Sequence, residues 1–225
     1  MYRILSGGLG NVLIHLSTIT DPTIPVYIKN KTQFLTFSNL NIVEEDDPEL
    51  ETIKLHGIYL NNNTAKYDHQ LIRARITPVQ NLIKDEHLKL LFDVQLGISI
   101  RTFYETDDLK PVPIEQFYKI IENFPENSNI FLTSDTFEVK RNFKEKYGER
   151  IKYIEDCAHS LIDFKNPTPY IEFFLLSMCP FIAFTAGGII DKSFNGFSTF
   201  GYMAGIYGKR ELIGIDHNDF IKIPL

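Results

Sequence analysis

Short apolar runs alternate along the chain with longer segments in which apolar residues recur at helical spacing. Tyr2 to Leu5 reads as a strand and Asn11 to Thr18 as the helix after it. Val26 to Ile28 and Asn41 to Val43 read as short strands, and Gly57 to Leu60 is a candidate for another. Asn61-Asn62-Asn63 marks a turn. Thr77-Pro78 has the form of a helix start, Thr as cap and Pro in the first turn, for a helix reaching about Leu91. Leu96 to Arg101 is a strand, and the apolar spacing from Pro113 to Glu122 is helical. Asn129 to Thr133 is a strand, Phe137 to Tyr147 a helix ended by Gly148, and Ile151 to Ile154 a strand. Tyr170 to Met178, Phe181 to Thr185, Ser198 to Tyr207 and Glu211 to Ile215 continue as helix, strand, helix, strand.

Such alternation predicts an α/β fold of parallel sheets with helical faces. The break near residues 92–96 divides it into two small Rossmann-like halves, 1–95 and 96–225, facing a cleft. One segment, Phe173 to Ile190, is nearly free of charge. Pro180 and Gly187-Gly188 interrupt it, so it reads as a buried helix and then a buried strand, not a membrane span of ~20 residues.

Composition narrows the function classes. The chain has 225 residues, 44% of them hydrophobic, and a net charge of −6. That balance argues against broad binding to nucleic acid or an anionic membrane, while leaving room for one local cationic pocket. Two cysteines, Cys157 and Cys179, are too few for a disulfide framework. With no secretory signal at the N-terminus, they suit a reducing, cytoplasmic compartment.

Three phosphate-friendly segments stand beside strands. In the first, Gly7-Gly8-Leu9-Gly10-Asn11 lies between a strand and a helix, where backbone N–H groups can approach a phosphate. It lacks the G-x-G-x-x-G spacing and the P-loop lysine, so by itself it is equally a tight turn. In the second, Arg101 ends a strand, the place where open α/β sheets gather ligands. A guanidinium there can fork two phosphate oxygens and stabilise a departing diphosphate. Pairing with Glu105, Asp107 or Asp108 is the plain alternative. In the third, Ser198-Thr199 opens a helix whose first turn offers hydroxyls and N–H groups, or simply caps itself. Asp135, after the strand Ile130 to Ser134, would hold a ribose or a guanine edge, or cap the next helix.

Other chemistry has weaker support. Glu45-Asp46-Asp47 and Asp107-Asp108 read as solvated acids and not as a metal site. His56, His69, His87, His159 and His217 lack metal-ligand spacing. His15 lies on the apolar face of a helix and reads as core. Cys179 reads as core too, and no G-x-S-x-G elbow is present. No general base stands out; His15 and Glu105 are the candidates by residue type. Asn62-Asn63-Thr64 matches a glycosylation acceptor pattern that means little without a secretion signal.

Several of these segments resemble a family. Gly7-Gly8-Leu9-Gly10-Asn11 looks like the GGLGN start of α-1,2-fucosyltransferases. Ser99-Ile100-Arg101-Thr102 falls where the wider inverting fucosyltransferase superfamily has H-x-R-R. Phe131 to Asp135 resembles that family's strand ending in Ser-Asp. Glu172 to Cys179 is similar to its E-x-x-L-M-S-x-C helix, and Ser198-Thr199-Phe200 to its S-[ST]-F. The order matches along most of the chain.

The resemblance implies a GT-B-like fold and an inverting, metal-independent transfer of fucose from GDP-fucose to a glycan acceptor. The half 1–95 would be the acceptor side and 96–225 the donor side. Arg101 would contact the donor diphosphate. Gly8, Gly10, Asn11, Ser198, Thr199 and Phe200 would line the donor, with Asp135 near the nucleoside. Ser99 replaces the motif His, Thr102 replaces the second Arg, and Val12 stands where Gln is usual. Residues 186–197 look like an insertion. A transferase using another nucleotide sugar and a non-catalytic nucleotide or glycan binder stay open as alternatives.

Overall fold

A computed structural model describes residues 2–4, 8–19, 21–29, 31–44, 51–52, 69–102, 111–157, 165–187 and 197–223. The chain order begins β1 (Tyr2–Ile4), α1 (Leu9–Thr18), β2 (Pro25–Ile28), β3 (Leu35–Phe37), β4 (Asn41–Val43) and β5 (Glu51–Thr52). It continues through α2 (His69–Arg75), β6 (Ile76–Pro78), α3 (Asp85–Lys89), β7 (Val94–Ile100), α4 (Ile114–Glu122) and β8 (Asn129–Ser134). Then come α5 (Phe137–Tyr147), β9 (Ile151–Lys152), α6 (Thr168–Met178), β10 (Phe181–Thr185), α7 (Thr199–Gly208), β11 (Glu211–Ile215) and β12 (Phe220–Ile223).

Two sheets carry the architecture. The first has the order β4-β2-β1-β5 and is parallel throughout. The second has the order β12-β11-β10-β7-β8-β9, parallel except for the antiparallel edge strand β12. In the second sheet the chain runs β7, β8, β9 toward one edge and then returns to place β10 on the other side of β7. The C-terminal ends of β7 and β10 therefore flank the point where strand order reverses. An open parallel sheet leaves a crevice there, because the connections on either side go to opposite faces.

Burial explains the strand patterns. β7, β8 and β10 are buried along nearly their whole length, as expected of central parallel strands covered on both faces. On one face, Ile98, Ile130 and Leu132 pack with Phe117, Ile120 and Ile121 of α4 and Val139 and Phe143 of α5. On the other, Phe131, Ile182 and Phe184 pack with α6 and α7. α4 buries one stripe only, whereas α6 buries ten residues of its eleven. An element apolar all round must be enclosed on all sides. The described part of the uncharged segment, residues 173–187, is thus the end of α6, a break at Pro180, and β10 with the two residues after it. Among the described residues no helix is long and apolar enough to cross a membrane.

The expected helix from Thr77 to about Leu91 does not form. Thr77 and Pro78 end β6, which pairs antiparallel with β3 in register Leu35↔Pro78. Val79 N–H extends the ladder to Phe34 O (3.1 Å). Pro needs no ladder donor at a strand end, and Asn81, with φ of 66°, turns the chain out of any helical path. Only α3, five residues, remains helical there. Gly57 to Leu60 and Asn61 to Asn63 lie outside the described residues.

Candidate functional site

The helix α7 brings the separate segments together. Its first residues abut the second residue of α1. A Cβ placed on Gly10 would lie 2.4 Å from Thr199 C, 2.5 Å from Thr199 O and 2.6 Å from Phe200 N, all backbone atoms. Only a glycine allows that approach. Two helix N-termini therefore meet, each the positive end of a helix dipole equivalent to roughly half a positive charge. Neither Gly8 before α1 nor Ser198 before α7 makes a side-chain cap hydrogen bond.

On its sheet side α7 presses on β7. A Cβ on Gly201 would stand 2.9 Å from Ser99 Cβ and 3.1 Å from Ser99 Oγ. Ser99 is buried, so the position occupied by His in the resembling motif here packs the helix onto the sheet.

Arg101 follows β7 directly and is half-buried. Its backbone N–H donates to Thr185 Oγ1 at the end of β10 (2.9 Å). Thr185 O in turn accepts the N–H of Ser198 (2.8 Å). Arg101, Thr185 and the start of α7 thus converge at the strand-order reversal. The acids weighed as alternative partners of Arg101, namely Glu105, Asp107 and Asp108, lie outside the described residues.

The next residue ties down the neighbouring strand. Thr102 N–H and Oγ1 both donate to Asp135 Oδ1 (2.8 and 2.7 Å), and Thr102 Oγ1 also meets Thr136 Oγ1. Asp135 links the ends of β7 and β8, and the N-cap of α5 is Thr136. A hydroxyl stands where the motif's second Arg would be, and the carboxylate takes it.

Beneath Asp135 lies a buried ion pair. Lys140 Nζ, fully enclosed, meets Glu172 Oε1 at 2.7 Å and donates to Ile154 O (3.1 Å) and Asp156 O (2.7 Å). Burial pushes the Glu172 carboxyl up to about 7, with Lys140 pulling it back part-way. Cys157 Sγ donates to Ser134 O (3.1 Å), and burial raises its thiol to about 11. The thiol is therefore a structural donor and not a nucleophile. Asp156 accepts from Asn166, Thr168 and the Cys157 N–H, which hold its carboxyl below the ordinary range.

The structure brings together Gly10, Arg101, Ser198, Thr199 and Phe200, with Asp135 one strand away. Gly8 and Asn11 flank Gly10 on the same helix start. Phe200 directs its ring to Phe173 of α6, edge to face at 5.6 Å. Gly7, the acidic run at 45–47, His56, His159 and Asn62 lie outside the described residues. His15 is buried in α1, and Cys179 is core. Sequence reasoning missed Thr185, Lys140 and the role of Thr102. Thr185 ends an apolar strand in a parallel sheet, which was a usable signal. Its partner, 84 residues away, was not legible.

No family model matches the sequence, and no curated protein matches it. Solved structures do resemble it. The structure of NodZ alpha-1,6-fucosyltransferase soaked with GDP-fucose aligns with a TM-score of 0.60 at 12% identity, covering 99% of this chain and 98% of that one. The selenomethionine form of fucosyltransferase NodZ from Bradyrhizobium aligns at 0.58 and 10% identity, covering 99% and 97%. NodZ co-crystallised with GDP aligns at 0.57 and 10% identity, with the same coverage of 99% and 97%. At these identities the likeness is one of fold, and the α/β architecture with parallel sheets is that of these GT-B-like fucosyltransferases.

Proposed function

We propose that this chain is an inverting, metal-independent glycosyltransferase that moves fucose from GDP-fucose to a glycan hydroxyl. The observation that carries the reading is the meeting of the α1 and α7 N-termini, Gly10 against Thr199, beside the turn that bears Arg101. Two positive dipole ends forced together repel each other, and an anion bound in front of both relieves the repulsion. A diphosphate supplies that charge. NodZ, which shares the fold, is described with GDP-fucose and with GDP.

In this reading 96–225 is the donor half and 1–95 the acceptor half. Gly8, Gly10 and Asn11 offer backbone N–H groups to the diphosphate from one side; from the other, Thr199 and Phe200 offer theirs and Ser198, whose N–H is held by Thr185 O, offers its hydroxyl. The Arg101 guanidinium stabilises the charge that develops as GDP departs. Fixed donors already aimed at a leaving diphosphate need no divalent ion to do this. Asp135 lies on the nucleoside side. The segments resembling α-1,2-fucosyltransferases favour that linkage class. Two free cysteines fit a reducing, cytoplasmic setting.

A second reading has its own observation. Ser99 is packed under α7 and Thr102 is bonded to Asp135, so two motif positions carry structural contacts and no catalytic group. A nucleotide binder without turnover would look this way, and so would a transferase for a different nucleotide sugar.

Thermal unfolding with GDP, UDP, CMP and ADP, with and without EDTA, separates these. A ligand that binds only the native state raises apparent stability by mass action. GDP alone is expected to stabilise the protein, equally with EDTA. Arg101→Ala is expected to weaken GDP binding about tenfold or more, the scale of a lost charge-assisted hydrogen bond. Unchanged affinity in that variant removes Arg101 from the donor site. GDP release from GDP-fucose in the presence of glycans then distinguishes the enzyme from the binder.

A further inference from the structure

We propose that Thr185 is a positioning residue for the donor site, holding the Arg101 turn and the start of α7 in one geometry. The proposal rests on the donor-site reading above. Strands β7 and β10 pair in register from Phe181↔Leu96 to Phe184↔Ser99, and the ladder stops there. Beyond that register the tie between the two strands passes from backbone to side chain. The Thr185 hydroxyl takes over as acceptor at 2.9 Å and is oriented toward Ser99 O at 3.4 Å. Its carbonyl accepts Ser198 N–H at 2.8 Å, and the residue is completely enclosed.

One buried residue thus bonds through its hydroxyl to the arginine turn and through its carbonyl to the helix that faces Gly10. The chain continues in the same rigid manner, with Ala186 N–H donating to Ile215 O (2.8 Å) and Ala186 bridging Phe197. Arg101 and the α7 N-terminus come from segments far apart in sequence, so nothing local fixes their separation. A diphosphate held by both requires that separation to be set before it arrives, since sub-ångström misplacement weakens charge-assisted hydrogen bonds and catalysis alike. Thr185 sets it without touching the ligand.

The test compares Thr185→Val with Thr185→Ser. Valine keeps the shape and the methyl packing and removes the hydroxyl. Serine keeps the hydroxyl and removes the methyl. Two quantities are measured on the full chain: amide exchange at Arg101 in the free protein, and GDP affinity by titration. Valine is expected to speed Arg101 exchange and weaken GDP binding about tenfold or more, as a lost buried acceptor does. Serine is expected to restore both, even if its unfolding temperature is the lower of the two. A purely packing role predicts the opposite ranking, with serine the worse binder. Arg101 exchange unchanged in Thr185→Val, or GDP affinity equal in wild type and Thr185→Val, overturns the positioning role. If wild type fails to bind GDP, the donor-site reading fails instead, and Arg101 exchange still decides whether the hydroxyl fixes the turn.

Discussion

Ser99 and Gly201 constrain one another. Gly201 has no room for a side chain, because a Cβ there would stand 2.5 Å from Phe184 Cβ as well as 2.9 Å from Ser99 Cβ. The side chain at position 99 thus occupies a shallow slot between sheet and helix, large enough for a hydroxymethyl group. Restoring the motif's histidine would force an imidazole into that slot. We predict that Ser99→His lowers the unfolding temperature and does not raise GDP-fucose turnover. Overpacking of this kind costs about 1–3 kcal/mol, or roughly 2–12 °C for a chain of this size. Thermal unfolding of the variant beside wild type checks it, and an equal midpoint would show that α7 yields to the larger ring. Thr102 follows the same logic. Its hydroxyl and N–H already hold Asp135, so position 102 joins two strand ends where the resembling motif has a cation.

At the scale of elements, α1 couples the glycine turn to the core at some electrostatic cost. Leu13, Ile14, His15 and Leu16 are all buried, and His15 Nδ1 has no hydrogen-bond partner among the described residues. Burial lowers the His15 pKa to about 4 from an ordinary 6.5. The folded state thus resists protonation between those values while the unfolded chain accepts it. Stability from this group is complete above pH 6.5 and is lost as pH falls toward 4. Chemical denaturation across that window is expected to show a steeper decline for wild type than for His15→Gln; parallel slopes would mean that His15 titrates normally. The apolar spacing of α1 revealed its buried face beforehand, as did the alternation that gave β7, α4, β8, α5, α6, β10, α7 and β11. What stayed hidden depends on partners remote in sequence. β3 is three residues paired with β6, and Thr77-Pro78 served a strand end because that pairing exists. α2 is short and polar, and β12 is an exposed edge strand without a buried face. The same limit applied to the site. Gly10, Arg101, Ser198 and Thr199 were visible as residue types suited to phosphate, whereas Thr185 acquires meaning only from the strand beside it.

Across the whole molecule the two sheets share a core. Leu13, Ile14 and Leu16 of α1, with Val26 and Ile28 of β2, belong to one apolar cluster with Tyr202, Met203 and Ile206 of α7 and Leu176 of α6. Tyr207 of α7 also donates its hydroxyl to Ile76 O of β6 (3.2 Å). The face of the second sheet covered by α4 and α5 is complete within residues 96–225, but the face covered by α6 and α7 is closed only by the first half. Fragment 96–225 would bare the apolar side of α7 and lose Gly10 from the site. An apolar helix exposed on one side cannot hold a fixed position, because its packing against the partner helix supplies most of its stability. We therefore expect the full chain to unfold in one transition by circular dichroism, with GDP moving the whole of it. The fragment is expected to melt without a cooperative transition and to show no response to GDP. Two resolved transitions in the full chain, or a fragment that melts cooperatively and responds to GDP, would mean that the second half carries a self-sufficient donor site and that α1 contributes only to the acceptor side.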